Sequence, residues 1–236
     1  MSASLRLRAK LELAYPPVAE ATARIWGDER VRELYPAYLE VWHGIVRSAV
    51  ALIEAARDRA RALAPGDEVA AMLVPYFEHH GPEEAGHDVW LLDDLEALGG
   101  DREAALRRIP SPRVATLVGA QYYWLRHAHP VSLLGHMAVV EGYSPPVGFA
   151  DRLQAVTGHP REAFRAIRRH ERLDIKHKRE LYELIDRLAL TAEHEALMGI
   201  AGLHTMQAAV EVFDEIHASP VPAKPVLPAH EVVSAP

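Results

Sequence analysis

The ten residues 168–177 read RRHERLDIKH, and the spacing within them decides how the chain is interpreted. An α-helix advances about 100° per residue, so positions i, i+4 and i+7 lie within about 60° of one another. His170, Asp174 and His177 have this spacing, which predicts two imidazoles and a carboxylate on one helical face. A histidine one turn from an aspartate is also common on solvated helix faces. A metal site therefore requires matching ligands from other helices.

Glu84 and His87 form a second carboxylate-x-x-histidine pair, with the same spacing as Asp174 and His177. On a continuous helix, both side chains of such a pair lie on one face. Two facing pairs with additional carboxylates are the ligand pattern of di-metal sites in helical bundles. Carboxylate and imidazole ligands suit iron or manganese, and the absence of cysteine excludes thiolate ligands. The sequence therefore predicts a di-metal carboxylate site.

Glu141 and His80 are candidates for further ligands. Glu141 directly follows the apolar run 131–140, and a carboxylate beside a buried helix is costly unless it is paired or bound to a metal. The alternative is that Glu141 lies at a helix end with its carboxylate in water. His80 would share a face with Glu84 on an unbroken helix, but Pro82 lies between them and favours a kink or a helix start. His80 is therefore an extra ligand or a neighbour of the ligands.

The remaining acids and histidines are interpreted without a metal. Glu83 is expected at the surface. His127, His129 and His136 could line a pocket, but histidines of a helical core more commonly form ordinary hydrogen bonds. The same interpretation applies to His194 and His204.

The composition is that of an ordinary globular protein, with 49% hydrophobic and 25% charged residues among 236. We expect one domain over residues 1–218 and a proline-rich tail over 219–236, which offers few apolar side chains. The net charge of −7 disfavours nucleic acid, which requires a basic stripe. The charged start lacks the apolar segment of a secretory signal, and no apolar run is long enough to span a bilayer. We therefore expect a cytoplasmic protein without nucleic-acid or membrane partners.

Helix formers dominate almost every segment, and no stretch alternates with the period of a strand. The pattern predicts an all-α bundle. Its first helix begins near Ser4 and is interrupted at Pro16 and Pro17, because proline lacks the N–H that a helix interior requires. The later helices are expected at residues 28–63, 67–98, 101–110, 113–127, 130–142, 149–156, 160–188 and 191–217.

Three stretches together resemble the haem-oxygenase-like diiron oxidases, which are also described as iron-containing redox enzymes. The stretches are residues 83–95, residues 129–142 and the spacing His170-x-x-x-Asp174-x-x-His177, of which the last is the most specific. The resemblance implies a single haem-oxygenase-like bundle of about seven core helices that binds two Fe(II) ions and no haem. Some relatives carry an acid at the position of His80. The ligands that it implies are Glu84, His87, Glu141, His170, Asp174 and His177.

The resemblance also implies an activity. It is that of an O2-activating non-haem diiron oxidase or oxygenase, with O2 as co-substrate and with weakly held iron. The expected substrate is a small amine, amino acid or carboxylate, which undergoes N-oxygenation or oxidative C–C cleavage in a biosynthetic reaction. A homodimer is expected as well.

Several alternatives share the same bundle. A thiaminase-like enzyme needs a cysteine nucleophile, which this chain lacks. A cofactor-free quinone-forming oxidase, or a haem-binding relative with His43 as its iron ligand, does not explain the two carboxylate-x-x-histidine pairs. A non-catalytic helical protein that binds a metal stays open, and iron-dependent oxygen uptake would distinguish it from the enzyme.

Overall fold

A computed structural model describes residues 1–220, and within them the chain folds as an all-α bundle without strands, as predicted. The predicted tail falls outside the described residues from position 221 onward. Eleven α-helices and one short 3-10 helix, Arg161–Phe164, follow one another in the described part. The α-helices are α1 (Ala3–Trp26), α2 (Val31–Val46), α3 (Ala49–Leu63), α4 (Glu68–Glu84), α5 (His87–Ala97), α6 (Arg102–Arg107), α7 (Pro112–His127), α8 (Ser132–Val140), α9 (Phe149–Thr157), α10 (Arg165–Arg187) and α11 (Ala192–His217).

Helix α1 continues through Pro16 and Pro17, so the predicted interruption is wrong. Proline in a helix leaves the carbonyl four residues earlier without its N–H donor. Those carbonyls belong to Glu12 and Leu13, which are exposed, as are both prolines. Water can therefore satisfy both carbonyls, and the helix tolerates the prolines on its outer face.

The predicted helix over residues 28–63 is two helices, because the chain turns at Arg47 and Ser48. The Ser48 hydroxyl donates a hydrogen bond to the carbonyl of Ile45 at 2.6 Å, and the Ser48 amide bonds to the same carbonyl at 3.0 Å. Such local side-chain bonds compete with the continuing helical ladder. As a result, α2 packs against α5, while α3 packs against α4.

A second break separates Glu84 from His87, so the prediction that one helix carries this pair is wrong. Pro82 lies inside the last turn of α4, and α4 ends at Glu84. Gly86 then adopts a left-handed conformation with φ +84°, which glycine accepts readily, and α5 begins at His87. Glu84 and His87 therefore flank a glycine turn instead of stacking along one helix.

Two buried carboxylates hold α10 in place. Asp94 of α5 accepts hydrogen bonds from the backbone amides of Arg165 and Ala166, at 3.0 and 2.9 Å, and so caps the start of α10. Glu171 of α10 accepts hydrogen bonds from the amides of Gly148 and Ala150, at 2.9 and 2.7 Å, at the start of α9. Free amides and the helix dipole make a helix start favourable for a carboxylate. These contacts fix the face of α10 that carries the predicted ligands.

Helices α8 and α11 meet backbone to backbone through Gly135 and Gly202. A Cβ atom at Gly135 would lie 2.0 Å from the carbonyl oxygen of Met198, and one at Gly202 would lie 2.8 Å from Leu11. Helix α11 is long and apolar enough to count as a candidate membrane span, and 56% of its most apolar window is buried in the bundle. It packs against α1, α7 and α8, as the core helix of a bundle does.

We expect Gly135→Ala to lower the free energy of unfolding by about 1–3 kcal/mol, because the new methyl group overlaps the α11 backbone. Gly119→Ala is the matched control. Gly119 lies exposed inside α7 with open space around it, so alanine there should add about 0.5–1 kcal/mol of stability. Urea unfolding of the three proteins measures both changes. Equal effects of the two substitutions would show that α8 and α11 are not in close contact.

Candidate metal centre

Four helices bring the six predicted ligands into one buried cluster, with Glu84 at its centre. Glu84 Oε2 lies 2.9 Å from His87 Nδ1, and Glu84 Oε1 lies 3.3 Å from His177 Nδ1. Asp174 Oδ1 lies 4.0 Å from His177 Nδ1. The His87 and His170 rings are in edge-to-face contact, with centroids 4.9 Å apart. The pairs from α4–α5 and from α10 therefore face each other across the bundle.

His80 also belongs to the cluster, although the sequence indicated it only weakly. Its side chain is 2% exposed, and its Nε2 lies 3.2 Å from Glu141 Oε1 and 3.7 Å from Glu84 Oε1. Because α4 remains helical through Pro82, His80 and Glu84 share a face after all. Glu141 caps the end of α8 and is 7% exposed, so its carboxylate is not directed into bulk water.

Glu83 lies at the edge of the cluster and not on the open surface where it was expected. Its Oε2 is 3.6 Å from His177 Nε2 and 4.0 Å from His80 Nδ1. Its other carboxylate oxygen forms an ion pair with Lys176. The only sequence signal for Glu83 was its position next to Glu84, which by itself does not distinguish a ligand from a surface acid.

His170 is oriented as a metal ligand would be. Its Nδ1 donates a hydrogen bond to the carbonyl oxygen of Ala166 at 2.8 Å, which leaves the Nε2 lone pair free. Histidines that bind metals almost always donate their other ring N–H in this way.

Burial and mutual repulsion shift the ionisation of the acids. Burial, together with the charges of Glu141 and Glu84, raises the pKa of Asp174 to about 8. Burial likewise raises the pKa of Glu141 above its usual range. Burial would also raise the pKa of Glu84, but His87, His80 and His177 outweigh it and the pKa is lowered. Three acids are therefore held together where they do not all ionise easily.

The histidines show the complementary shifts. Burial would lower the pKa of His80, but the carboxylates of Glu141, Glu84 and Glu83 outweigh it and raise that pKa. Burial lowers the pKa values of His170 and His177. Both of these imidazoles are thus neutral near pH 7, which is the form that binds metals.

The donor atoms of the cluster fit a two-metal site. Among the described residues, several buried donor atoms of the cluster face one another without hydrogen-bond geometry, which is costly unless a cation lies between them. Six of the donor residues also fall into two groups of three, within each of which the ligand atoms lie within 4.8 Å of one another, whereas Glu141 and Asp174 belong to neither group. Imidazole nitrogen and carboxylate oxygen suit Fe(II). The two groups are His80, Glu83 and His177, and Glu84, His87 and His170.

A third group, formed by Asp67, His129 and His194, is better explained by a hydrogen bond between Asp67 and His129 and a ring contact between His129 and His194. His129 Nδ1 accepts a hydrogen bond from the amide of Val131 at 3.1 Å, so its proton is on Nε2. That Nε2 lies 3.1 Å from Asp67 Oδ2 and donates to it. A metal bound there would require the opposite tautomer. The group therefore connects the starts of α4, α8 and α11.

Two adjoining cavities reach the cluster from the apolar interior. The first, of about 110 Å³, is lined by His80, Glu84 and Glu141. The second, of about 260 Å³, extends between α1, α2 and α9. His43 lines neither cavity and lies in a small pocket beside Arg47 and Arg108, so its position does not favour the haem-binding alternative. Five residues line both cavities: Trp42, Ile45, Val140, His170 and Asp174.

Solved structures with the same fold define the class of protein. A domain of unknown function with a haem-oxygenase-like fold from Shewanella denitrificans aligns with a TM-score of 0.73 at 19% identity, over 90% of this chain and 89% of its own. A CADD-like protein of unknown function from Nostoc punctiforme aligns at 0.65 and 16% identity, over 91% and 96%. A TenA homologue from Pseudomonas syringae pv. tomato aligns at 0.64 and 13% identity, over 87% and 91%. The chain therefore has the haem-oxygenase-like fold.

The family follows from the sequence itself. Residues 50–211 match the family described as iron-containing redox enzyme, and the chain belongs to it. The comparison with curated proteins gives no match. The matched residues include every side chain of the cluster.

Proposed function

We propose that this protein is an O2-activating non-haem diiron oxidase or oxygenase. The observation that carries the proposal is the buried cluster, in which the imidazoles and carboxylates of four helices face one another without hydrogen-bond geometry. Membership of an iron-containing redox family supports iron as the metal. Two Fe(II) ions would be held by Glu84, His87, Glu141, His170, Asp174 and His177.

The proposal adds two residues to the ligands that the sequence indicated. His80 and Glu83 would hold one iron with His177, while His87 and His170 would hold the other. Glu84 contacts histidines of both groups through its two carboxylate oxygens, so it would help to hold the metal at either group. A histidine at position 80 would make the first iron site richer in nitrogen ligands than a carboxylate there would.

The side chains around the cluster have separate tasks in this proposal. Bound Fe(II) would supply the activation of O2, which side chains alone do not provide. Ala166 fixes the tautomer of His170, and Lys176 balances the charge of Glu83. Asp174 retains a proton near neutral pH because its pKa is about 8, so metal binding would release that proton. Apolar side chains, among them Leu52, Leu133 and Met137, form the rest of the first cavity's wall.

The proposed substrate is a small amine, amino acid or carboxylate, and the proposed reaction is N-oxygenation or oxidative C–C cleavage. A cytoplasmic homodimer belongs to the same proposal. The substrate and the reaction rest on the family resemblance.

Anaerobic titration with Fe(II) tests the proposal. We expect two ions per chain, and we expect O2 uptake by the iron-loaded protein that a chelator prevents. Affinity should fall as the pH falls below about 8, because Asp174 must lose its proton to bind the metal, and it should fall further once protons compete for the imidazoles. Binding of fewer than two ions would contradict the diiron centre, and two bound ions without O2 uptake would favour a non-catalytic metal protein.

A further inference from the structure

The walls of the two cavities carry no permanently charged cation. None of their lining residues, within the described part of the chain, is lysine or arginine. The basic residues nearest the ligand helices have partners elsewhere: Lys176 pairs with Glu83, and Arg168 pairs with Asp151. Three acids line the first cavity instead, and its wall imidazole His80 already faces Glu141 at 3.2 Å. Without bound metal, an anionic group entering these cavities would therefore lose its hydration with little compensation.

One neutral hydrogen-bond acceptor faces the first cavity. His136 lies inside α8 and lines this cavity, and its Nδ1 lies 3.0 Å from the Thr205 hydroxyl oxygen. The single hydroxyl proton of Thr205 is donated to the carbonyl oxygen of Ala201 at 2.8 Å. His136 Nδ1 must therefore be the donor to Thr205, and the Nε2 lone pair is left as an acceptor.

The His136 ring is neutral near pH 7. Burial, together with the neighbouring His204, lowers the pKa of His136 to about 4. At pH 7 the ring therefore offers an acceptor, and it does not offer a positive charge to an anion.

The second cavity is suited to an elongated apolar group. Aromatic rings from three helices form much of its wall, among them Trp26, Tyr38 and Phe149. Trp26 is in edge-to-face contact with both of the others, at centroid distances of 5.0 and 5.5 Å. These rings hold one another in place, so they form a preformed apolar surface.

We propose that the two cavities bind an elongated apolar substrate whose polar end donates an O–H or N–H hydrogen bond to His136 Nε2. The apolar body lies along the second cavity, and the polar end lies in the first, beside the metal ligands. This inference rests on the proposed function and narrows it, since it favours amines and alcohols, which carry such a donor, over carboxylates, which carry none at pH 7.

Calorimetric titration with three probes of similar length tests the inference. The probes are 1-octanol, the ether 1-methoxyheptane, which lacks a donor, and octanoate, which is an anion. We use the full chain, once with chelator and once after anaerobic loading with Fe(II). In both forms octanol should bind about five- to tenfold more tightly than the ether, as one buried hydrogen bond allows, and in chelator it should bind at least about tenfold more tightly than octanoate.

Two substitutions locate the binding. His136→Phe should lower the affinity for octanol to that for the ether. It should leave the affinity for the ether unchanged within about twofold. Val140→Trp should weaken the binding of octanol and of the ether alike, because Val140 lines both cavities. Val156→Trp is the control, since Val156 is 68% exposed and lines neither cavity. Thermal melts show which variants fold, and the comparison of probes on the unchanged protein does not depend on any variant.

The outcomes separate the inference from the proposed function. Octanoate binding as tightly as octanol in chelator, or the ether binding as tightly as octanol in either form, would overturn the inference. Retention of the octanol preference in folded His136→Phe would also overturn it. If the probe order holds but Fe(II) does not bind, the cavity assignment stands and the diiron function fails. If two irons bind and O2 is consumed while octanol does not bind, the diiron function stands and the cavity assignment fails.

Discussion

Replacing His170 or His177 with alanine is expected to lower iron-dependent O2 consumption at least about a hundredfold. Each substitution removes one imidazole that faces the other donors of the cluster. Loss of residues that merely orient metal ligands already costs 10–100-fold, and loss of a ligand should cost more. Iron content measured on the same samples should fall from two ions per chain to one or fewer.

His194→Ala and His204→Ala are the matched controls. His194 forms the capping box at the start of α11 with Thr191, and His204 contacts Trp124 edge-to-face, so neither belongs to the cluster. Both variants should retain two irons and most of the O2 consumption. Equal losses in all four variants would mean that the histidines of α10 are packing residues and not ligands.

The ligand face of α10 was predictable because its information is local. His170, Asp174 and His177 share one helix, and the periodicity of an α-helix places them on one face without any knowledge of the rest of the fold. The structure confirms that α10 is continuous over these positions. The all-α class was predictable for the same reason, since helix formers and helical periods extend along most of the chain.

The geometry of the other pair was not predictable from spacing. A period of three to four residues places Glu84 and His87 together only on a continuous helix, and the left-handed turn at Gly86 replaces that geometry with another close contact. For His80 the error was the opposite one, because the helix continues at Pro82 where the sequence predicts a kink or a helix start. Pro82 was expected to disrupt the helix, but the carbonyl that it leaves without a donor belongs to Glu78, which is exposed to water.

Contacts between segments that are far apart in the sequence could not be predicted from local patterns. Asp94 and Glu171 cap helices by accepting hydrogen bonds from amides 71 and 23 positions away along the chain, and no local pattern predicts such a partner. His136 was interpreted as a core histidine, and its hydrogen bond to Thr205 agrees with that interpretation. Its position in the cavity wall depends on how α8 lies against α11 through two glycines, which only the packed structure shows.

Replacing Glu141 with glutamine is expected to stabilise the metal-free protein by about 1 kcal/mol or more, within the usual range of single substitutions. Burial raises the pKa of Glu141, so its charged form is disfavoured in the folded state. Glutamine keeps the shape and removes both this cost and the repulsion of Asp174. The same substitution should erase the stabilisation by Fe(II), which amounts to about 2.7 kcal/mol at a hundred times Kd, because this gain requires the ligand.

The raised pKa of Asp174 predicts in which direction the stability of the metal-free protein changes with pH. A carboxyl whose folded pKa is raised favours folding below its unfolded pKa, near 4, and this advantage is lost as the pH rises through the folded pKa. For Asp174 that value is about 8. In chelator, the melting temperature of the unchanged protein should therefore fall between pH 6.5 and 8.5. The fall should be smaller in Glu141→Gln, because less negative charge surrounds Asp174.

Glu171→Gln is the control with the opposite expected sign. Glu171 is a buried acid of the same length, but its two oxygens accept hydrogen bonds from the amides of Gly148 and Ala150. Glutamine offers only one acceptor oxygen there, so this variant should be less stable than the unchanged protein in chelator and should still be stabilised by Fe(II). If Glu141→Gln behaved in that way, Glu141 would be a structural acid. Opposite changes in stability for the two substitutions would assign Glu141 to the metal, because a buried acid that serves as a metal ligand destabilises the fold until its cation is bound.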